Sequence, residues 1–239
     1  LEGGDWQGAA RLIARCAGEM VNCGRTGTLQ AWIDRLPESV RQDSAWLTFW
    51  SGICRMGTDV TVARNQLMQA FEGFGVDEDA AGEYLAWSAV LESYWYEWDD
   101  LGPIDQWIEV FDRLYARHGG FPAAEIEARA VPNILLALIL RRPEHPHLAY
   151  WEKRSRELMQ TVVEPAYRLR MGGILALHYI WMRGDYGGSR FVLDLMRADA
   201  ERADVDPMAR LLFYSLLGSH HLWQTGSMEE CIKTVDEGL

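Results

Sequence analysis

One pattern occurs twice in the second half of the chain: Leu177-His178-Tyr179-Ile180-Trp181-Met182-Arg183-Gly184 and Ser219-His220-His221-Leu222-Trp223-Gln224-Thr225-Gly226. In each stretch a predicted helix ends on a tryptophan, a short turn follows, and a second amphipathic helix begins. Cys54-Arg55-Met56-Gly57 fits the same frame nearer the start of the chain. The recurrence indicates that one helix-turn-helix unit is repeated along the sequence.

Five turns mark the repeated unit at intervals of about 40 to 44 residues, a spacing typical of helical-repeat arrays. A single helix hairpin cannot bury its apolar faces, whereas a stack of hairpins can. No window alternates Val or Ile with polar residues over the length of a β-hairpin, so no strand is predicted. The turns are Gly57-Thr58-Asp59, Asp99-Asp100, Pro143-Glu144-His145, Arg183-Gly184-Asp185 and Thr225-Gly226-Ser227.

We therefore predict an all-α fold, a right-handed superhelix of antiparallel helix pairs, as a single repeat domain over residues 1–239. No low-complexity linker interrupts this range. The chain begins at Leu1 rather than at a methionine, and it ends at Leu239 in or just after an amphipathic helix without an obvious polar capping unit. Because repeat arrays need such caps at their ends, we expect the chain to be a piece of a larger protein.

Capping and helix-ending residues predict where the helices lie. Asp5 can cap a first helix that runs to about Asn22, and Pro37 ends a short helix over 29–36. Pro132 lies inside the predicted helix 123–140, where we expect a kink or a restart. The other predicted helices span 39–57, 60–74, 80–98, 103–118, 147–163, 166–182, 188–203, 207–223 and 228 to the end.

Composition limits the class of protein. The chain has 35 acidic and 23 basic residues and a net charge of −12, which disfavours a nucleic-acid surface because phosphates need clustered Lys and Arg. Solubility accounts for this acidity, and a basic partner is the alternative. The four cysteines show no Cys-x-x-Cys spacing, and the longest apolar run, 134–140, is too short for a bilayer. We expect reduced thiols, a cytoplasmic location and no membrane contact.

The first third of the chain resembles a known family. Ala31-Trp32-Ile33-Asp34-Arg35-Leu36-Pro37 is followed by Ala45-Trp46-Leu47, by Gly57 and by Ala63-Arg64-Asn65-Gln66-Leu67. This order is similar to the tetratricopeptide-like region of large ATP-dependent (STAND-type) transcription activators, of which the maltose-responsive activators with a LuxR-type DNA-binding end are the best-known group. The match is clearest over residues 1–75, and the later units fit as generic repeats.

The resemblance implies that the array acts as a sensor arm. In such proteins it binds an inducer or a regulatory protein and so controls a nucleotide-switched oligomer, while the ATPase and DNA-binding modules lie elsewhere in the same chain. The stretch Cys23-Gly24-Arg25-Thr26-Gly27 lacks the lysine and the preceding strand of a phosphate loop. We therefore expect no cofactor in this part of the protein.

Aromatic residues are the unusual component, with 11 Trp, 9 Tyr and 7 Phe. Successive helix positions turn by about 100°, so Tyr94, Trp95 and Tyr96 cannot all point into one core. We expect at least one of them to face solvent or a groove. The alternative is that neighbouring helices pack on both sides of this helix. Aromatic grooves suit sugars, peptides and planar ligands. If the first helix of each pair lines a concave face, the expected ligand or partner contacts are Trp50, Tyr94, Trp98, Asn133, His178, Trp181 and His220.

Histidines do not predict a metal site. His145 and His147 flank a proline, and His220 and His221 are adjacent on a helix, where they point about 100° apart. No Cys or Asp residue is placed so as to complete a tetrahedral set with either pair. His178 and His220 share a repeat position, so both are expected on one face of the array.

The sequence thus predicts a non-enzymatic domain of a signal-responsive transcriptional regulator that binds a small-molecule inducer or a protein partner. A scaffold for protein assembly without a small ligand is one alternative. The other is a helical-barrel hydrolase acting on carbohydrate, because paired acids among aromatics are typical of glycosidases. An ordered pocket with two carboxylates at catalytic distance would favour the hydrolase, and the acids concerned are Glu92, Glu97, Asp99 and Asp100.

Overall fold

The computed structural model describes residues 4–162, 164–205 and 207–238 of the chain. Over these ranges every regular element is helical and no strand is present, which confirms the all-α prediction. None of the described helices combines the length and the apolar character that crossing a bilayer requires.

Thirteen α-helices and one π-helical turn follow one another in the described ranges. The α-helices of the first part of the chain are α1 (Trp6–Asn22), α2 (Thr26–Asp34), α3 (Glu38–Gln42), α4 (Ala45–Arg55), α5 (Val60–Val76), α6 (Ala80–Glu97), α7 (Ile104–His118) and α8 (Ala124–Arg141). They are followed by α9 (Leu148–Thr161), α10 (Pro165–Leu177), the π-turn (His178–Arg183), α11 (Tyr186–Ala200), α12 (Pro207–Thr225) and α13 (Met228–Asp236).

The helices form two compact units, Leu1–Ala130 and Val131–Leu239. In the first unit, α5 packs against both α4 and α6. In the second unit, α10 packs against α9, α11 and α12, and α13 packs against α12. The pairs α4–α5, α5–α6, α10–α11 and α12–α13 are therefore neighbours both in the sequence and in the packing, as helix hairpins require.

The predicted turns supply helix N-caps. Asp59, Asp185 and Ser227 each precede a helix, and their side-chain oxygens accept hydrogen bonds from backbone N–H groups three residues later. These bonds satisfy donors that the first helical turn leaves unpaired. The donors and distances are Val62 at 3.0 Å, Gly188 at 2.8 Å and Glu230 at 3.2 Å. Gly184 and Gly226 precede two of the caps with φ of 61° and 73°, a left-handed conformation that glycine adopts without a Cβ clash.

Small residues let consecutive helices approach closely. A Cβ on Gly82 of α6 would lie 2.3 Å from the Phe74 ring of α5, and a Cβ on Gly172 of α10 would lie 2.5 Å from Met196 of α11. Phe74 and Met196 are both buried. Glycine at these two positions therefore determines how near the paired helices can come.

Several helix boundaries agree with the prediction, and others differ from it. Asp5 caps α1 as predicted, with its Oδ1 accepting from the Gly8 N–H at 2.7 Å. The predicted helix 39–57 is instead α3 and α4, because Ser44 caps a new helix. At Pro132, where a kink or a restart was expected, the helix does not restart, because α8 continues through this residue.

The predicted helix 166–182 also differs, because its α-helical part ends at Leu177 and the π-turn follows. The predicted helix end at residue 163 lies outside the described residues, and so do the chain ends Leu1 and Leu239.

Candidate functional site

The seven residues expected to bind a ligand or partner fall in both units. Trp50, Tyr94 and Trp98 belong to the first unit, and Asn133, His178, Trp181 and His220 belong to the second. Their surroundings differ between the two units.

Trp50 of α4 is half-buried and joins the packing of the first helices. Its ring stacks on Trp46, with 6.3 Å between the ring centroids, and its outer edge faces Gly18 of α1. The indole Nε1 is shielded from solvent and has no hydrogen-bond partner among the described residues. Trp50 therefore packs chiefly against protein, with one unpaired donor.

Tyr94 of α6 is only 7% exposed, and it forms part of a polar junction between α5 and α6. The Arg64 guanidinium lies 3.9 Å from the centre of the Tyr94 ring, a cation–π contact. Arg64 also donates to Ser93 Oγ at 2.8 Å and to Glu97 Oε2 at 2.5 Å. Burial raises the pKa of the Tyr94 hydroxyl. The structure thus places Tyr94 inside the helix packing.

Trp98 ends α6 and is 62% exposed. Its backbone is left-handed, with φ of 48°, and its N–H donates to the Tyr94 carbonyl at 2.9 Å to close the helix. Such a conformation is uncommon outside glycine. In the same aromatic run Tyr96 is 69% exposed, which confirms that at least one of the residues 94–96 faces solvent.

In the second unit, Asn133 is fully buried in α8 and accepts a hydrogen bond from the Arg170 guanidinium of α10 at 2.8 Å. The contact joins a neutral acceptor to a permanently charged donor, so it is stronger than a neutral pair. The structure gives Asn133 a place in the packing of this unit, and its role as a ligand contact stays a prediction.

The π-turn is the irregular element of the second unit. Its hydrogen bonding differs from that of the α10 helix before it, and the Asp185 N–H donates to the Tyr179 carbonyl, at 2.9 Å, to close it. Gly184 follows in a left-handed conformation and allows the chain to turn into α11. π-Helical segments are rare and occur frequently at functional sites. This turn carries two of the expected residues, His178 and Trp181.

Glu152 of α9 is the acceptor around which the π-turn is organised. The Tyr179 hydroxyl donates to Glu152 Oε1 at 2.8 Å, His178 Nε2 lies 3.5 Å from Oε2, and Arg183 Nη1 lies 3.8 Å from the same oxygen. The contact with His178, the Tyr179 hydrogen bond and the Arg183 charge lower the pKa of Glu152 against the opposing effect of burial. Burial and the carboxylate together raise the pKa of Tyr179. The result is an anionic acceptor beside a neutral phenol.

His178 is buried, and neither of its ring nitrogens makes a hydrogen bond with the described residues. Its 3.5 Å approach to Glu152 is an electrostatic contact without hydrogen-bond geometry. Most buried polar atoms in folded proteins are hydrogen-bonded. A buried imidazole whose two nitrogens both lack a hydrogen bond is therefore unusual.

His220 occupies the repeat-equivalent position in α12 and is also buried. Its Nδ1 lies 2.8 Å from Ser189 Oγ, and its Nε2 has no hydrogen-bond partner in the described ranges. Burial is the main reason why the pKa of His220 is lowered, which favours the neutral ring at pH 7. The two equivalent histidines therefore share an unpaired ring nitrogen.

Trp181 and Trp223 follow these histidines by three residues, which is about one helical turn. They are 63% and 57% exposed, and their ring centroids are 6.4 Å apart at an angle of 57°. Met182, which follows Trp181 in the chain, is exposed as well. The structure therefore brings Trp181 together with Trp223, so that an aromatic pair on the surface accompanies a pair of buried histidines.

Some members of this site were not predicted. Trp223, Glu152 and Tyr179 carry much of its geometry. The repeat alignment already matched Trp223 with Trp181, so its shared role was visible in the sequence. Glu152 had no comparable signal, because it lies on a different helix and only folding brings it to the π-turn.

Three of the acids named for the hydrolase alternative form contacts with other residues. Glu97 pairs with Arg64 at 2.5 Å, and Glu92 pairs with Arg129 at 3.8 Å. Asp100 Oδ1 accepts from the Gly102 N–H at 2.8 Å and shapes a turn. Among the residues that the structure describes, no three His, Cys, Asp or Glu side chains are grouped as metal ligands.

Comparison with known protein families and with curated protein sequences gives no match for this chain.

Proposed function

We propose that the chain is a non-enzymatic recognition domain that binds a partner protein or a small-molecule inducer through the Trp181–Trp223 pair. The observation that carries this proposal is the repeated arrangement of a buried histidine followed, one turn later, by an exposed tryptophan. It occurs at matching positions of two consecutive hairpins and includes the π-turn. Packing alone does not require two neighbouring tryptophans to remain exposed in this way.

The energetics of recognition support the proposal. Tryptophan is among the residues most enriched at binding hot spots, because it buries a large area and can also donate a hydrogen bond. The exposed pair offers a compact apolar contact, and the π-turn that carries Trp181 also carries the exposed Met182 and Arg183, which lies 3.8 Å from Glu152.

The wider biological setting is part of the same proposal. The helix hairpins of each unit are arranged as a right-handed, tetratricopeptide-like superhelix, and the domain belongs to a cytoplasmic, signal-responsive transcriptional regulator of the ATP-dependent type. The ATPase and DNA-binding modules lie in other parts of that protein. The net charge of −12 supports a role without direct nucleic-acid contact. Binding then shifts the population between an autoinhibited and an active state.

The proposal is tested by a thermal-shift screen with sugars, peptides and nucleotides, because a ligand that binds only the native state raises Tm by mass action. For a hit, the double variant Trp181→Ala/Trp223→Ala should raise Kd by about tenfold or more, as expected for hot-spot residues. Trp98→Ala is the matched control, since Trp98 is equally exposed but lies in the first unit.

Equal affinity of the double variant and the wild-type chain would reject the tryptophan pair as the binding site. A screen in which no probe raises Tm would favour the scaffold for protein assembly instead. A direct role for Trp98, which the sequence predicts, would show as a comparable loss of affinity in the control.

A further inference from the structure

A polar cavity of about 160 Å³ lies in the first unit, among α2, α3, α4 and α5. Its volume is that of about five water molecules in the liquid, so it suits a small solute. The lining is mostly polar, and the side chains on which the following steps depend are Asp34, Glu38, Arg41, Ser51, Arg55 and Gln66.

The two acids of the cavity already have partners. Asp34 Oδ1 accepts from Gln30 Nε2 at 2.8 Å and lies 3.7 Å from Arg41 Nη1. Glu38 Oε1 accepts from Gln42 Nε2 at 2.9 Å. Asp34 thus has a positively charged partner in Arg41, whereas Glu38 keeps its negative charge beside a neutral amide, so the lining opposes the entry of a multiply charged anion.

The hydroxyl of the cavity is held in place by amides. Ser51 is buried, and its Oγ accepts from Gln66 Nε2 at 3.1 Å and lies 3.2 Å from Gln30 Oε1. These contacts fix the side chains on two sides of the cavity. The rigid polar wall they form is suited to a ligand that carries hydrogen-bonding groups of its own.

Arg55, at the end of α4, is the unpaired charge of this cavity. Its guanidinium forms no ion pair with the described residues, and its Nε is shielded from solvent without a hydrogen-bond partner. The position at a helix C-terminus is favourable for a cation, but it does not supply an acceptor for the Nε–H. Because the Nε–H is shielded, an acceptor that enters the cavity would meet the Arg55 guanidinium at its terminal nitrogens.

No thiolate neutralises Arg55 either. The neighbouring Cys54 has its pKa raised to about 11, mainly by burial, so it is a neutral thiol at pH 7. The Nε of Arg41 is likewise shielded from solvent and has no hydrogen-bond partner among the described residues.

From this arrangement we propose that the cavity binds a small carboxylate, with the Arg55 guanidinium as its anchor. A planar guanidinium pairs with a carboxylate through two parallel hydrogen bonds. The amides and the hydroxyl of the wall contact the remainder of the ligand. A singly charged carboxylate is favoured over phosphate, because Asp34 and Glu38 line the same cavity. This site does not depend on the tryptophan pair, which belongs to the other unit.

The test titrates the full chain with acetate, L-lactate and L-glutamate, and with inorganic phosphate and glycerol as comparison probes. At least one carboxylate should give a saturable rise in Tm, and glycerol should give none. Arg55→Gln should weaken that binding by about tenfold or more, because a charge-assisted hydrogen bond is lost. Arg35→Gln, an exposed arginine at the end of α2, is the matched control and should bind as the wild type does.

A second measurement does not rely on the stability of a variant. The Nε–Hε signal of Arg55 in a proton–nitrogen NMR spectrum, assigned by its absence from Arg55→Gln, should move as the carboxylate is added to the wild-type chain. The proposal is overturned if this signal does not move, if no carboxylate raises Tm, or if phosphate alone does. Equal weakening by Arg55→Gln and Arg35→Gln would also overturn it.

Discussion

Two polar clusters, one in each unit, are built from similar kinds of side chain and differ in how far their polar groups are hydrogen-bonded. In the first unit Arg64 joins α5 to α6 by contacts with Tyr94, Ser93 and Glu97. In the second unit Glu152 joins α9 to the π-turn by contacts with Tyr179 and His178. Both clusters combine aromatic and charged side chains from two helical elements, α5 and α6 in one case and α9 and the π-turn in the other.

The difference lies in how far each cluster is satisfied. The Arg64 cluster is closed: its aromatic ring is buried and its guanidinium has acceptors on the next helix. The Glu152 cluster contains a buried imidazole with no hydrogen bond and ends at an exposed tryptophan. Aromatic and charged side chains can thus serve packing alone, as in the first unit, or recognition, as proposed for the second unit. The buried groups without a hydrogen bond distinguish the two cases.

The largest effect on stability is expected in the closed cluster. Tyr94→Ala should lower the free energy of unfolding by about 3 kcal/mol or more, because a buried aromatic side chain and its cation–π contact are lost. Tyr96→Ala, a solvent-exposed neighbour on the same helix, should stay within about 0.5 kcal/mol. Urea denaturation measures both values. Similar stabilities for the two variants would show that the Arg64 cluster does not hold α5 and α6 together.

Two tyrosine hydroxyls sharpen the comparison. Tyr179→Phe removes a hydrogen bond to the Glu152 carboxylate, whereas Tyr84→Phe in the first unit removes one to the neutral Gly120 carbonyl at 3.1 Å. The first change should cost about 1.5 to 3 kcal/mol and the second about 1 kcal/mol, since bonds to charged groups are stronger. Denaturation of both variants gives the ranking, and the reverse order would contradict a charged Glu152 in the folded chain.

The pH dependence of the free energy of unfolding tests whether Glu152 is ionised in the folded chain. Its pKa is lowered in the folded chain, so its ionised form contributes stability above the ordinary glutamate pKa of about 4.3, and this contribution is lost as the pH falls through the lower folded value. The stability difference between wild type and Glu152→Gln should therefore shrink as the pH is taken from 7 to 3. A difference that stays constant over this range would mean that Glu152 is not held as an anion by its neighbours.

Local chemistry made much of the fold predictable. The caps at Asp5, Asp59 and Asp185 lie where short polar side chains can satisfy the first backbone donors of a helix. Periodic apolar residues located the helices that follow them. These signals depend on residues close together in the sequence, so tertiary contacts do not change them.

The candidate site was less predictable, because it depends on contacts between distant residues. The periodicity of α6 could not show that Tyr94 points inward, since this helix is buried on several sides. The π-turn replaced a predicted regular helix where His178 and Tyr179 meet Glu152 from α9. Trp181 and His178 were expected for their repeat position alone, and their different exposure emerged only from the packing.

The central claim is that the exposed tryptophan pair binds while the closed aromatic cluster only supports the fold. Its most direct test measures Kd and Tm together for Trp181→Ala/Trp223→Ala and for Tyr94→Ala, with the ligand found by the thermal-shift screen. We expect the double variant to lose about tenfold or more in affinity with little change in Tm, and Tyr94→Ala to lose Tm while its folded fraction binds normally. Normal binding by a folded double variant, or impaired binding by folded Tyr94→Ala, would contradict the account.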